Sequence, residues 1–489
     1  MVQVLMKNDR VKNSLMNNSQ QLNRSLGLGL VVVVVVGNII GSGVYKKVAP
    51  MAAELHSSGW VLICWVLGGI ISLFGALSNA EIASMMADTG GEYVYYQKIY
   101  NRFFAFIFGW SLFIVIQTAS ISALAYVFSQ SLNSIVHLPP VLSSWQHFNI
   151  GGVFYPFENF NIKLTAIILI LLLTWLNSKG IKIGARFSAA VLILVFAGIL
   201  TIIIFGLSSS QSHISQVFEM STTNNAPVTF SAVFTSMLAA FWAYQGWATV
   251  GYIGGEVKDQ YKNIPRGITI GVFIIIATYL LVNTAYLSLL PVDTLEHVYK
   301  LQNMVAAIEA VKVFWGQNGG LFISTLIAVT TLGCTHATIL VSCRTYFAMA
   351  KQGMFFPSVS KLNKAHAPAN SMWLQGIWAC ILVLSGTFDQ LTDMIIFAVF
   401  IYYGATALGV FILRKKMPDA PRPYKVWGYP IVPAIVVLFS AVLFFNTIYA
   451  RPREAAIGMV LMLAGVPIYL VLSKRKRNQD KQNQEGFSG

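Results

Sequence analysis

Gly37-Asn38-Ile39-Ile40-Gly41-Ser42-Gly43 falls in the middle of an apolar stretch over residues 26–54, directly after six consecutive valines, Val31 to Val36. A segment that crosses hydrocarbon must satisfy its backbone N–H and C=O groups internally, so glycines at mid-span mark either a packing notch or a break that faces a cavity. Gly-Ser-Gly is the poorest helix former in this region, and we read it as an unwound joint. The competing reading of Gly41, Ser42 and Gly43 is a small-residue contact between helices, which an isolated glycine pair would favour. A second cluster decides between them. About two hundred residues further on, Phe241-Trp242-Ala243-Tyr244-Gln245-Gly246-Trp247 places an uncharged polar residue and a glycine between aromatics. Ordinary aromatic packing explains Trp242, Tyr244 and Trp247 but not Gln245 and Gly246 among them. Breaks at matching positions in two halves are the signature of an inverted-repeat secondary transporter.

The whole chain supports this setting. Its 489 residues are 56% hydrophobic and 10% charged, with a mean hydropathy of +0.65, which excludes a set of soluble domains. Apolar spans occur near 26–54, 58–86, 103–136, 160–176, 185–207, 229–254, 267–290, 318–350, 371–386, 392–413, 432–447 and 455–473. Each is long enough to cross a bilayer or nearly so, and only short loops remain between them. The expected fold is an all-α polytopic membrane protein of twelve helices, built as a 5+5 inverted repeat with discontinuous helices 1 and 6, plus helices 11 and 12. Residues 1–25 form an N-terminal arm, 26–207 the first half, 229–413 the second half, 432–473 the last two helices and 474–489 a basic tail.

The net charge of +15 could suggest nucleic acid, but the placement of the charges points elsewhere. Of the 33 Lys and Arg, seven (Lys46, Lys47, Lys163, Lys300, Lys312, Arg451 and Arg453) sit on one side of the twelve-span scheme, and the rest lie with the termini. Basic loops remain cytoplasmic, so both termini are expected in the cytoplasm of a multi-pass cell-membrane protein. The first span follows a polar arm without a small-residue cleavage site and is read as a retained helix. Cys64, Cys334, Cys343 and Cys380 fall in apolar spans without paired ligand spacing, so packing is expected of them, with no metal and no cofactor. A membrane-embedded enzyme would need an intramembrane cluster of His, Asp or Glu, and a channel a charged ring or filter-like repeat. His137, His147, His213 and His297 fall in outer loops, His56 at the outer end of helix 1 and His366 in an inner loop, which leaves His336 alone within a span.

At the breaks the chain resembles the amino acid, polyamine and organocation superfamily, and within it the bacterial relatives of the L-type amino acid transporters. Gly41-Ser42-Gly43-Val44-Tyr45 is similar to the joint of helix 1, and Ala80-Glu81 followed by Gly90-Gly91-Glu92-Tyr93 to the end of helix 2. Gly255-Glu256-Val257-Lys258, Asn263-Ile264-Pro265-Arg266, the run Arg344 to Ala350, and Pro418 to Tyr424 with Trp427-Gly428-Tyr429-Pro430 follow in the family's order. The resemblance covers nearly the whole chain and implies alternating access around the two breaks.

An unwound helix exposes amides at the start of its outer half and carbonyls at the end of its inner half, which suits a zwitterion. The N–H groups of Ser42 and Gly43, with the Ser42 hydroxyl, suit a carboxylate. The resemblance implies that the carbonyls of Ile39, Trp242 and Gln245 take the ammonium, that Ile40, Gly41, Ala243 and Tyr244 belong to the same substrate-binding segments, and that Trp242 is the gate. Related arginine/agmatine antiporters carry a glutamate where this chain has Ala248, so neutral L-amino acids are the expected substrates. A polyamine or cationic amino acid antiporter is the alternative. Lys182, in Asn177-Ser178-Lys179-Gly180-Ile181-Lys182, resembles the lysine that stands in place of sodium in sodium-independent members; a snorkelling interfacial lysine is the plainer reading. Exchange and proton coupling both remain open. Lys46 and Lys47 follow the joint, where relatives carry apolar or small polar residues, and each must reach water or a carboxylate such as Glu54. Residues 137–160 contain no cysteine. The disulfide that joins animal L-type transporters to a heavy chain is therefore not expected, and the chain is expected to act alone as a monomer, with an amino acid substrate and the lipid bilayer as its partners and no nucleic acid.

Overall fold

A computed structural model describes residues 26–86, 91–151, 154–179, 184–248, 257–301, 305–365 and 367–485, with the backbone alone over 184–191 and 476–485. Among the described residues, eight helices are long and apolar enough to cross a membrane. Four shorter apolar helices, Leu28–Ile39, Leu192–Leu207, Phe230–Tyr244 and Ala369–Ser385, accompany them. The protein is therefore an all-α, multi-pass membrane protein of about a dozen apolar helices, as its composition requires. Lys182 and the arm 1–25 lie outside the described residues, as do Gly90 and Gly255-Glu256 of the family motifs.

The valine run has a packing role. Val31, Val35 and Val36 are buried against the seventh crossing, Gln260–Leu289. There a methyl group on Gly271 would stand 2.6 Å from Val35 Cγ1, and one on Gly267 would meet Val31. Branched side chains thus fill a small-xxx-small groove, an association that relies on close packing because lipid supplies no hydrophobic drive.

The third crossing, Arg102–Ile135, contains a wide π turn over Leu112–Ile116. Side chains use the carbonyls that such a turn leaves poorly bonded. Tyr346 Oη donates to Leu112 O at 3.2 Å, Thr118 Oγ1 to Phe113 O at 2.6 Å and Trp378 Nε1 to Ile114 O at 2.8 Å. The turn ends at Gln117, the first cavity residue of this helix.

Charged groups near the helix ends are paired. Glu81, at the end of the second crossing Ser58–Met85, receives Arg414 Nε at 3.0 Å, Arg414 Nη2 at 2.7 Å and Val426 N at 2.7 Å. Arg414 ends the tenth crossing, Phe388–Lys416, and Val426 belongs to the loop that the family motif marks. A two-pronged guanidinium–carboxylate contact explains how a buried glutamate is tolerated there. In the eighth crossing, Ala306–Lys351, Gly316 (φ 61°) separates a short first segment from the longer apolar part.

Candidate substrate site at the helix breaks

The first crossing is a helix over Leu28–Ile39, then Ile40 in extended geometry, then a second half formed by Gly43–Lys46 and Val48–Leu55. The sixth crossing is helical over Phe230–Tyr244 and stops at Gln245 (φ −69°, ψ 147°), with Gly246 at φ 125°. A side chain at Gly246 would be strained by that φ and would also run into the Asn38 carbonyl. The two interruptions therefore abut, Gly246 against Asn38 and Gly43 against Ala243, whose Cα would lie 2.6 Å from a methyl group on Gly43.

Between them lies a cavity of about 700 Å³ of empty space, partly continuous with solvent. Ile39, Gly41, Ser42, Gly43, Trp242 and Gln245 line it. The other three expected segment residues are placed differently. The Ile40 carbonyl accepts the Cys334 thiol at 3.1 Å, Ala243 packs on Gly43, and Tyr244 turns its hydroxyl to Trp65 O at 3.1 Å. Gly37, Asn38 and Gly246 also line the cavity, from the first and sixth crossings, and the rest of the lining comes from the third and eighth. Gln117, Ser120 and Leu124 form one helical stripe, and Cys334, Ala337, Thr338, Val341 and Ser342 another. Cys334 thus has a polar task beyond packing.

Ser42 is fully buried, and its Oγ accepts Trp242 Nε1 at 3.3 Å. As acceptor in that bond, the hydroxyl keeps its own proton to donate. The first amides of the second half, Gly43 and Val44, have no acceptor within their own helix and sit at its positive dipole end. The first half, Leu28–Ile39, ends in carbonyls, so one break offers both donors and acceptors. No side-chain charge lines the cavity among the described residues.

Tyr279 ties the two broken helices together, and the sequence reading did not include it. Its hydroxyl lies 3.2 Å from Ile39 O and 3.0 Å from Ala243 O, so a single proton is shared between carbonyls in the last turns of both helices. The ring is fully buried against Trp65 and Tyr244, with centroids 5.7 and 5.1 Å away.

The two lysines that follow the joint are also placed. Lys47 Nζ reaches Asp389 Oδ1 at 2.6 Å and Thr392 Oγ1 at 2.7 Å, while Lys46 Nζ reaches Gln130 Oε1 at 2.7 Å. Glu54, the carboxylate anticipated for them, pairs instead with Arg451 at 3.2 Å. Lys179 stacks on the Trp175 ring, 3.8 Å from its centroid.

A multi-pass bundle with two facing helix breaks, a cavity between them and donors and acceptors at its wall has the architecture of a membrane carrier. A sequence profile of the amino acid permease family matches residues 26–473. The chain is 31% identical to the serine/threonine exchanger SteT of Bacillus subtilis, over 93% of this chain and 98% of that protein. It is 29% identical to the large neutral amino acids transporter small subunit 2 of Mus musculus, over 92% and 81% of the two chains, and 27% identical to the b(0,+)-type amino acid transporter 1 of Mus musculus, over 92% and 88%. The chain belongs to the amino acid permease family, within the amino acid, polyamine and organocation superfamily, and is a transporter rather than an enzyme.

Proposed function

We propose that the protein is a sodium-independent exchanger of neutral L-amino acids. The observation that carries this reading is the break in the first crossing, where Ser42 and Gly43 open onto a cavity with no charged side chain in its described lining. A zwitterion needs a donor end and an acceptor end, and backbone groups at a break supply both without a buried ion. In this reading the Ser42 and Gly43 amides and the Ser42 hydroxyl hold the carboxylate, while the carbonyls of Ile39, Trp242 and Gln245 face the ammonium. Trp242, bonded to Ser42, is the gate. A cationic side chain would find no partner, and Ala248 supplies none. The relatives' functions, serine/threonine exchange and large neutral amino acid transport, agree with a small to medium neutral substrate.

The same reading takes residues 26–207 and 229–413 as inverted halves, 432–473 as two added helices, and both termini as cytoplasmic. It takes the chain to act without a disulfide-linked heavy chain, since residues 137–160 lack the cysteine. The test is counterflow of radiolabelled alanine, serine, leucine and arginine in proteoliposomes, with and without sodium. Exchange of the neutral substrates at equal rates in both media is expected. A requirement for sodium, or strong competition by arginine, agmatine or putrescine, would overturn the assignment.

Lys182 is proposed as the tethered cation that makes sodium unnecessary by organising the unwound segment. Lys182→Ala is expected to reach the membrane and transport poorly. Lys179→Ala should stay close to wild type, because Lys179 rests on Trp175 at the surface. Equal, mild effects at the two positions would reduce Lys182 to an interfacial anchor.

A further inference from the structure

The connection between the third crossing and the fourth, Phe160–Ser178, differs in chemistry from the next connection on the same side, residues 208–228. Residues 138–157 contain no Asp, Glu, Lys or Arg and include Trp145, Phe148, Phe154, Tyr155 and Phe157. Residues 208–228 are mostly Ser, Thr, Asn and Gln. Every residue from Val141 to Ile150 is exposed, Trp145 at 52% and Ile150 at 57%. An exposed aromatic patch of this kind marks a surface that lipid or protein covers.

The depth of the patch follows from its contacts. The Trp145 and Phe148 rings lie 5.9 Å apart and 5.9 and 5.7 Å from Phe157, which in turn lies 5.5 Å from Phe160, the first residue of the fourth crossing. Lys163 of that helix donates to Tyr155 O at 2.6 Å and holds the connection at its first turn. The helix has 19 residues, about 28 Å at 1.5 Å each, close to the roughly 30 Å of hydrocarbon it crosses. Phe160 therefore lies at one boundary of the hydrocarbon and Trp175, stacked with Lys179, near the other. Phe160, Leu164, Ile168, Leu171 and Trp175 recur at three- and four-residue spacing, and the last three are exposed. The ring cluster is thus continuous with a lipid-facing stripe, at the depth where aromatic side chains settle. Phe154 turns the other way and lines a small cavity with Leu382 and Gly386 at the end of the ninth crossing and Met394 of the tenth.

We propose that residues 141–150 lie in the headgroup layer of the bilayer, with Trp145, Phe148 and Ile150 set into its acyl boundary, so that this connection is a membrane anchor. Lipid is the occupant because the segment adjoins a surface that already faces lipid and carries no charge with which to select a protein partner. Its composition suits that layer. Ser143, Ser144 and Gln146 stand among the apolar side chains, and the headgroup region supplies them with water, phosphate and carbonyl partners that hydrocarbon lacks. Through Phe154 the anchor also fixes the level of the ninth and tenth crossings against the bilayer.

Tryptophan fluorescence of the full-length protein in liposomes tests this placement. Subtracting the emission of Trp145→Phe from that of wild type isolates position 145. Phe148→Trp and Ile150→Trp, each combined with Trp145→Phe, report on the neighbouring positions, and Asn224→Trp in the same background reports on an exposed position of the polar connection. Lipids brominated near the headgroup end of the acyl chain should quench positions 145, 148 and 150 about threefold more than position 224, and more strongly than lipids brominated near the chain end do. Iodide on both sides of the vesicle should quench position 224 the most. Iodide quenching at 145 equal to that at 224 would place the segment in water and overturn the anchor. Resistance of position 145 to both quenchers would overturn it as well, because a second copy or another protein then covers the rings. Wild type itself carries the reporter at 145, so the test stands even where an added tryptophan prevents insertion.

Discussion

Gly43→Val is expected to reach the membrane and to carry out no counterflow. Valine's Cβ would lie 2.6 Å from Ala243 Cα and 2.7 Å from Ala243 Cβ, and the nearest of these atoms is backbone and cannot rotate away. The sixth crossing must therefore retreat from the first, which pulls the two breaks apart and moves the Ser42 and Gly43 amides away from the Trp242 and Gln245 carbonyls. Overpacking of this kind costs about 1–3 kcal/mol, a load that a bundle of about a dozen helices can bear even as the proposed substrate site loses its geometry. The sequence alone suggested that a side chain at Gly43 would fill the substrate's space; in the structure the obstacle is the neighbouring helix. Gly41 separates the two explanations. A methyl group there would meet Leu124 Cδ2 at 3.6 Å and Ile39 O at 4.0 Å, both ordinary contacts, while facing the cavity. Counterflow should thus survive Gly41→Ala with a reduced substrate affinity and fail in Gly43→Ala or Gly43→Val. Normal exchange by Gly43→Val would remove the joint from the mechanism.

The joint was legible because two signals coincide in it. Gly-Ser-Gly has low helix propensity, and its mid-span position turns that weakness into a structural demand, since exposed backbone in hydrocarbon has to be compensated. The spans were legible for the same reason, because a uniform solvent imposes length and apolarity on each. The stripes Gln117–Ser120 and Cys334–Thr338 were not. A hydroxyl in a membrane helix ordinarily bonds its own preceding turn, as Ser120 does to Ile116 O at 2.6 Å and Thr338 to Cys334 O at 2.8 Å, so its type does not reveal whether it also faces a cavity. The partners of Lys46 and Lys47 were illegible in another way. A buried cation announces that it needs a partner but not which one, and Asp389 lies 342 residues away from Lys47, beyond anything that local spacing can specify.

Tyr279 belongs to the same illegible class, and its removal should have the second large effect. In Tyr279→Phe the shape of the ring and its contacts with Trp65 and Tyr244 persist, while the proton shared by Ile39 O and Ala243 O is lost. Two buried carbonyls at the negative ends of two helices then lack their donor, and each unsatisfied group costs roughly 1–3 kcal/mol. Part of that cost is relieved if the broken ends drift or draw in water, and either change alters the acceptor cluster proposed for the substrate ammonium. The expected result is a rise in the apparent KM for serine of about tenfold to a hundredfold, with insertion close to wild type and a loss of thermal stability comparable to that of Tyr244→Phe. Tyr244→Phe is the control. It removes a buried hydroxyl from the same aromatic group, but one directed at Trp65 O and away from the cavity, so its cost should appear in stability and leave KM nearly unchanged. A KM shift of equal size in both variants would mean that Tyr279 supports the bundle generally. A large KM shift in Tyr279→Phe alone would mark its hydroxyl as the group that holds the two breaks in register for the substrate.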